Sequence, residues 1–268
     1  MLININKKGQ IMKYKSIFIS DVHLGTRGSK AEILLDFLKD AECDNLFLVG
    51  DIFDGWRLKN NWYWPQAHST VIQKILRMSR KGTKIVYVPG NHDEFMREFV
   101  GHQFGDITLT DEYLYRASNG REYIVVHGDK FDLVTMNMKW LSHVGDWAYT
   151  SLLNINTILH WIRTYLRLPY WSLSKWAKKQ VKEAVNFIGN YESSLAHYAR
   201  IKHVDGIICG HIHSAALDVI EDVEYMNCGD WVESCTALVE TMDGEFQLIH
   251  WGDTNVDISN TSDTHKQS

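Results

Sequence analysis

The chain has 268 residues, 45% of them hydrophobic and 23% charged, and a formal net charge of −5. That apolar share supplies a packed core and excludes wholesale disorder, and the acidic balance lacks the basic footprint of a general nucleic-acid binder. The length fits one large α/β domain or two small ones.

Cys43, Cys209, Cys228 and Cys235 show no C-x-x-C spacing, so neither a zinc knuckle nor a redox pair is indicated. They read as reduced thiols of a cytoplasmic protein. The opening MLININKKGQIMKYK has no apolar h-region, and no apolar run approaches the ~20 residues of a spanning helix. Met12 immediately precedes the first strand, so Met1 and Met12 both stand as starts. Residues 1–12 and the polar 253–268 read as disordered tails.

Short apolar runs alternate with helical patterns through the first hundred residues. "SIFIS" reads as a strand, and "SKAEILLDFLKDA" as a helix facing inward with Ile33, Leu34, Phe37 and Leu38. "NLFLVG" is a second strand. "HSTVIQKILRMSRKG" is a helix with Val71, Ile72, Ile75 and Leu76 inward and Gly82 as its C-terminal cap. "TKIVYVPG" is a third strand, so crossover units and a mostly parallel sheet are expected. Hairpins then follow around Asn119-Gly120 and Asp243-Gly244. Crossovers beside hairpins predict two sheets packed face to face with helices outside. Between Val134 and His203 the strand signals vanish and an aromatic-rich helical segment takes over, an insertion in the sheet domain.

Each strand that enters a loop ends in residues able to ligate a metal. Asp21 and His23 follow "IFIS", Asp51 and Asp54 follow "FLVG", and Asn91 and His92 follow "YVPG". His127 follows "YIVV", and His211 and His213 follow "GIICG". Ligands of open α/β sheets bind beyond the carboxyl ends of strands, so these residues are expected to converge. A lone His there is more often structural; five strand ends together are not. The set exceeds the capacity of one tetrahedral zinc, which points to two metals. Mixed imidazole and carboxylate donors suit Mn²⁺, Fe, Co²⁺ or Zn²⁺ better than Mg²⁺. Two such ions can activate a water and clamp an in-line displacement at phosphorus.

"SDVHLG", "GDIFD", "PGNHD", "VVHGD" and "GHIH" stand in the order and at about the spacing of the calcineurin-like metallophosphoesterases, which residues 16–251 resemble. The resemblance implies a four-layer α/β/β/α sandwich with an inserted helical lid. It places the core at 13–130 and 204–252 and the lid at 131–203. Asp21, His23, Asp51 and His213 would hold one metal, and Asp51, Asn91, His127 and His211 the other, with Mn²⁺ the expected ion. His92 would face the phosphate and stabilise or protonate the leaving oxygen, oriented by Asp54. Asp93 and Asp129 continue motifs and read as turn residues or as supports of the ligands.

A closer resemblance is to the UDP-2,3-diacylglucosamine hydrolases of lipid A biosynthesis and their paralogues, which share an insertion of similar length. It implies cleavage of that nucleotide-linked glycolipid at its pyrophosphate, and it allows a peripheral contact with the inner membrane. This chain has His92 where well-known members carry Arg, and Asp54 where they tend to carry Glu; both point towards the paralogue branch. Thr150 to Lys182 contains no acidic residue but carries Arg163, Arg167, Lys175, Lys178, Lys179 and Lys182 among Trp161, Trp171 and Trp176. Such a stretch suits anionic head groups, and Arg163, Arg167, Trp171, Lys175, Trp176 and Lys179 are the candidate substrate and lid residues. A clamp for a nucleotide diphosphate or a polynucleotide and a dimer interface remain alternatives, as does a non-catalytic scaffold of the same fold.

Overall fold

The computed structural model describes residues 2–4, 11–132 and 173–252, and side chains over 11–132 and 187–252. The chain divides into two compact units, Met1–Gly128 with Leu195–Ser268, and Asp129–Ser194. In chain order the elements are β1 (Leu2–Asn4), β2 (Met12–Ile19), α1 (Ala31–Asp40), β3 (Ala41–Val49), α2 (Gly55–Asn60), α3 (Gln66–Arg80) and β4 (Lys84–Val88). Then come a 3₁₀ turn (Glu94–Phe99), β5 (Gln103–Phe104), β6 (Ile107–Leu109), β7 (Tyr113–Arg116) and β8 (Glu122–Val125). After α4 (Leu173–Ile201) follow β9 (Gly206–Cys209), β10 (Ala216–Ile220), β11 (Val223–Asn227), β12 (Thr236–Glu240) and β13 (Phe246–His250).

The first unit is an α/β sandwich of two mixed sheets. The larger runs β1-β13-β12-β2-β3-β4-β6-β5, and the smaller β10-β11-β9-β8-β7. β2, β3, β4 and β6 are parallel, as are β8, β9 and β11. Antiparallel hairpins β7–β8 and β12–β13 close around the two predicted turns.

The inner strands are apolar on both sides because both sides are covered. Ile17, Ile19, Leu46, Leu48, Ile85 and Tyr87 pack with Leu34, Phe37 and Leu38 of α1 and Val71, Ile75 and Met78 of α3. The alternate residues Phe18, Phe47, Val49, Val86 and Val88 meet Tyr115, Tyr123, Val125, Ile208 and Met226 of the smaller sheet. Phe18 stacks on Phe47 at 4.5 Å and meets Tyr115 edge-on at 5.3 Å. One buried polar chain crosses this inter-sheet core. Tyr115 Oη lies 2.7 Å from Ser16 Oγ and donates to Glu240 Oε2, while Ser118 N donates to Glu240 Oε1 at 2.7 Å.

Three expectations change. Leu76 is 47% exposed, and Met78 takes the inward position on α3. On α1, Leu35 is buried and Ile33 only partly so. Leu2–Asn4, expected in a disordered tail, forms a strand parallel to β13. Gly82 caps α3 as expected, at φ +101° with its N–H on Ser79 O at 2.9 Å. All four cysteines are free, and three are buried. Among the described residues no helix is long and apolar enough to cross a membrane.

Candidate metal centre

The nine residues expected at the strand ends all lie in the first unit; eight of them converge, and Asn91 precedes His92 in the chain. Asp21 and His23 follow β2, Asp51 and Asp54 follow β3, Asn91 and His92 follow β4, His127 follows β8, and His211 and His213 follow β9. Three groups place their ligand atoms within 4.8 Å of one another: Asp21, His23 and His213; Asp51, His127 and His211; and His23, Asp54 and His92.

Backbone conformation aims these side chains. Asp21, His23, Asp51, His211 and His213 all adopt left-handed angles, with φ of +52°, +51°, +53°, +72° and +52°. Each such non-glycine residue costs of order 1–3 kcal/mol and persists only where its surroundings over-determine it. Here the loops lace one another: Asp21 N donates to Gly50 O at 3.1 Å, His23 N to Asp51 O at 2.9 Å, and Trp231 N to Asp21 O at 3.0 Å. Gly90 is needed for close approach, since a Cβ there would meet Asp51 N and His127 Cδ2, both at 2.7 Å. That is why β4 ends in Pro-Gly before Asn91.

The side chains are fixed one by one. His127 Nδ1–H donates to Val49 O at 2.9 Å, which fixes the ring's orientation and turns Nε2 towards Asp51 Oδ2, 3.3 Å away. Asp21 Oδ2 accepts from His211 N at 2.9 Å and from Ser20 Oγ, and Asp21 Oδ1 lies 3.2 Å from His213 Nε2. Asp51 Oδ1 accepts from His92 N at 2.8 Å. Asp54 Oδ1 accepts Arg57 N at 2.8 Å and caps α2, while its Oδ2 lies 3.4 Å from His23 Nδ1 and 3.2 Å from His92 Nδ1. One carboxylate oxygen thus serves two imidazoles.

Electrostatics follow from burial and pairing. Burial opposes a charge on His23, but Asp21 and Asp54 outweigh it and push the imidazolium up to about 10. Burial also opposes ionisation of Asp21 and Asp51; His213 and His23 nevertheless hold Asp21 well below the carboxylate range, and His127 brings Asp51 down to about 2. Asp54 is held low against burial by His23 and His92. Asp21 Oδ1, His23 Nε2 and Asn91 Oδ1 are buried without a hydrogen bond of good geometry, an arrangement too costly for a structural cluster alone. The open Asp21 Oδ1 and His23 Nε2 lie 3.8 Å apart, and carboxylate and imidazole atoms so placed fit a divalent cation.

Asp93 read as a turn residue or a support of the ligands; Asp230 and His68 carried no such signal. Asp93 is fully buried, accepting Ile52 N at 2.8 Å, Gly90 N at 2.6 Å and the Tyr87 hydroxyl, and it ties the loops after β3 and β4 together. Asp230 accepts Val232 N at 2.8 Å and Glu233 N at 2.5 Å, building the loop whose Trp231 N holds Asp21 O. His68, expected to be ordinary, is buried and its Nδ1 accepts Gly25 N at 3.1 Å. Burial lowers its pKa, which keeps it a neutral acceptor. Arg163, Arg167 and Trp171 lie outside the described residues; Lys175, Trp176 and Lys179 fall on α4, with their side chains outside them.

Fold and site together define a metal-dependent phosphoesterase, a hydrolase. The family model described as calcineurin-like phosphoesterase matches residues 14–215, and the chain belongs to that family. It is 26% identical over 237 residues to the UDP-2,3-diacylglucosamine hydrolase of Neisseria gonorrhoeae, covering 86% of this chain and 95% of the relative. To the enzyme of the same name from Chromohalobacter salexigens it is 28% identical over 228 residues, covering 81% and 88%. Among solved structures it matches a phosphoesterase from E. coli with a TM-score of 0.44 and 13% identity, over 88% of this chain and 99% of that one.

Proposed function

We propose that the protein hydrolyses UDP-2,3-diacylglucosamine at its pyrophosphate, releasing UMP and 2,3-diacylglucosamine 1-phosphate. The observation that carries the reaction class is the pair of ligand groups, Asp21–His23–His213 and Asp51–His127–His211, set side by side with buried atoms left open. The substrate rests on relatives of that name matched over most of both chains.

In this reading Asp21, His23, Asp51 and His213 hold one cation, and Asp51, Asn91, His127 and His211 the other, with Mn²⁺ the favoured ion. Two cations would supply an acidified water and neutralise charge on the phosphoryl oxygens. Asp51 is the shared ligand, and His92 N fixes its Oδ1. His92 donates a hydrogen bond or proton to the oxygen leaving phosphorus, an effect commonly worth about 10²–10⁴-fold. Asp54 Oδ2 lies 3.2 Å from His92 Nδ1, so Nε2 is the nitrogen left for that oxygen. The protein works in the cytoplasm on a lipid drawn from the inner membrane, and the basic aromatic residues Arg163, Arg167, Trp171, Lys175, Trp176 and Lys179 cover the acyl chains.

His92 and Asp54 favour a second reading, a paralogous phosphodiesterase acting on another nucleotide- or lipid-linked phosphate. UMP release from UDP-2,3-diacylglucosamine by Mn²⁺-loaded protein, with UDP-N-acetylglucosamine alongside, separates the two. Turnover of the acylated substrate alone is expected. Silence on both, with cleavage of a chromogenic phosphodiester, would replace the first reading by the second.

A further inference from the structure

Trp56 sits on the second residue of α2, two positions after Asp54. Its ring centroid lies 4.1 Å from that of His92, with the planes 35° apart. Phe53 and Trp64 pack on the apolar core beneath the larger sheet, whereas Trp56 joins neither core cluster. A half-buried indole outside both cores and laid over an imidazole calls for a reason beyond apolar burial.

The rest of the His92 environment supplies it. His92 O accepts Gly55 N at 2.9 Å, and His92 N donates to Asp51 Oδ1 at 2.8 Å. A Cβ at position 55 would come within 2.8 Å of His92 O, so the approach of α2 to this residue requires glycine. Asp54 Oδ2 lies 3.2 Å from His92 Nδ1 but without good hydrogen-bond geometry. The His23 ring meets His92 edge-on at 4.6 Å. The carboxylate alone therefore leaves ring rotation loosely set, and the flat surface that restricts it is Trp56.

We infer that Trp56 is a positioning residue that holds the His92 imidazole at the angle from which its Nε2 meets the leaving oxygen. This rests on the reading of His92 given above. The first turn of α2 then carries both constraints on one ring: Asp54 at its edge and Trp56 on its face. Misplacement of a catalytic group by about 1 Å can cost about 10²-fold, so the effect belongs in kcat.

The test uses full-length, Mn²⁺-loaded protein and the phenyl and p-nitrophenyl esters of uridine 5′-monophosphate. Phenolate is the poorer leaving group and depends more on proton donation. Expected for Trp56→Ala is a fall in kcat of about tenfold or more on the phenyl ester, a smaller fall on the p-nitrophenyl ester, and little change in KM. Trp56→Phe, which keeps a flat face, restores most of the rate, and bound metal matches wild type in both. In a His92→Ala background, Trp56→Ala has no further effect. An equal loss on both esters, the same loss in the His92→Ala background, or loss of metal would overturn the inference while leaving His92 its role. Wild-type kcat in His92→Ala would overturn the role of His92 and the inference with it.

Discussion

The main-chain N–H of His92 donates to Asp51 Oδ1 at 2.8 Å. The residue read as acid and the carboxylate read as the shared ligand are therefore joined through a backbone, not through a side chain. Replacing the His92 side chain leaves that bond intact. His92→Ala is expected to keep its metals, measured by elemental analysis, and to lose about 10²–10⁴-fold in kcat; metal loss would mean that His92 is itself a ligand.

Asp51→Ala removes the carboxylate on which both ligand groups depend. Metal content and turnover should collapse together while the far-ultraviolet circular dichroism stays unchanged. Retained turnover would sink the two-cation reading.

Asp54→Ala should act on both functions at once, because Asp54 Oδ2 reaches Nδ1 of His23 and of His92. A carboxylate that orients a ligating imidazole typically supports about 10–100-fold in metal affinity or activity. The expected result is weaker metal retention in dialysis than for His92→Ala, together with a lower kcat in metal-saturated assays.

The metal-free protein should take up cations with release of protons. The His23 imidazolium is pushed up to about 10, and a cation needs the neutral ring. Affinity therefore rises as pH climbs towards that value, and calorimetry in buffers of different ionisation heat should show the release at neutral pH. The same raised value makes the contribution of His23 to metal-free stability complete below its ordinary pKa of 6.5 and lost as pH rises through about 10. Asp51 works oppositely. Its contribution is present above 3.8 and lost as pH falls towards about 2.

Glu240→Ala should destabilise the fold and spare the chemistry. The carboxylate is buried between the sheets, where it accepts from Tyr115 and Ser118. Each donor stranded by its loss costs about 1–3 kcal/mol. Denaturant unfolding should report that loss, with kcat on a chromogenic phosphodiester unchanged.

The strand ends were legible because a buried parallel strand is a continuous apolar run, and a His or Asp placed just beyond it stands out. Helix faces were read less well. The pattern put Leu76 inward, but α3 turns it to solvent and buries Met78 near its last turn. Leu2–Asn4 is too short to show any period and gains its strand from β13. Asp93 was readable as a turn residue or a support because it continues a motif, but Asp230, His68 and Trp56 were not predicted as supports, since their importance lies in backbone donors and rings that only the folded chain brings near. Nothing local distinguishes Asp230 from an ordinary turn aspartate.

The left-handed angles at Asp21, His23, Asp51, His211 and His213 bear on how such a centre can be moved or altered. Strain of this kind is a property of the peptide chain, so the nine side chains grafted onto another pair of sheets would point elsewhere. Within this scaffold the loop-to-loop hydrogen bonds set where the ligands point. Imidazole and carboxylate donors so aimed suit several divalent cations and do not single out one.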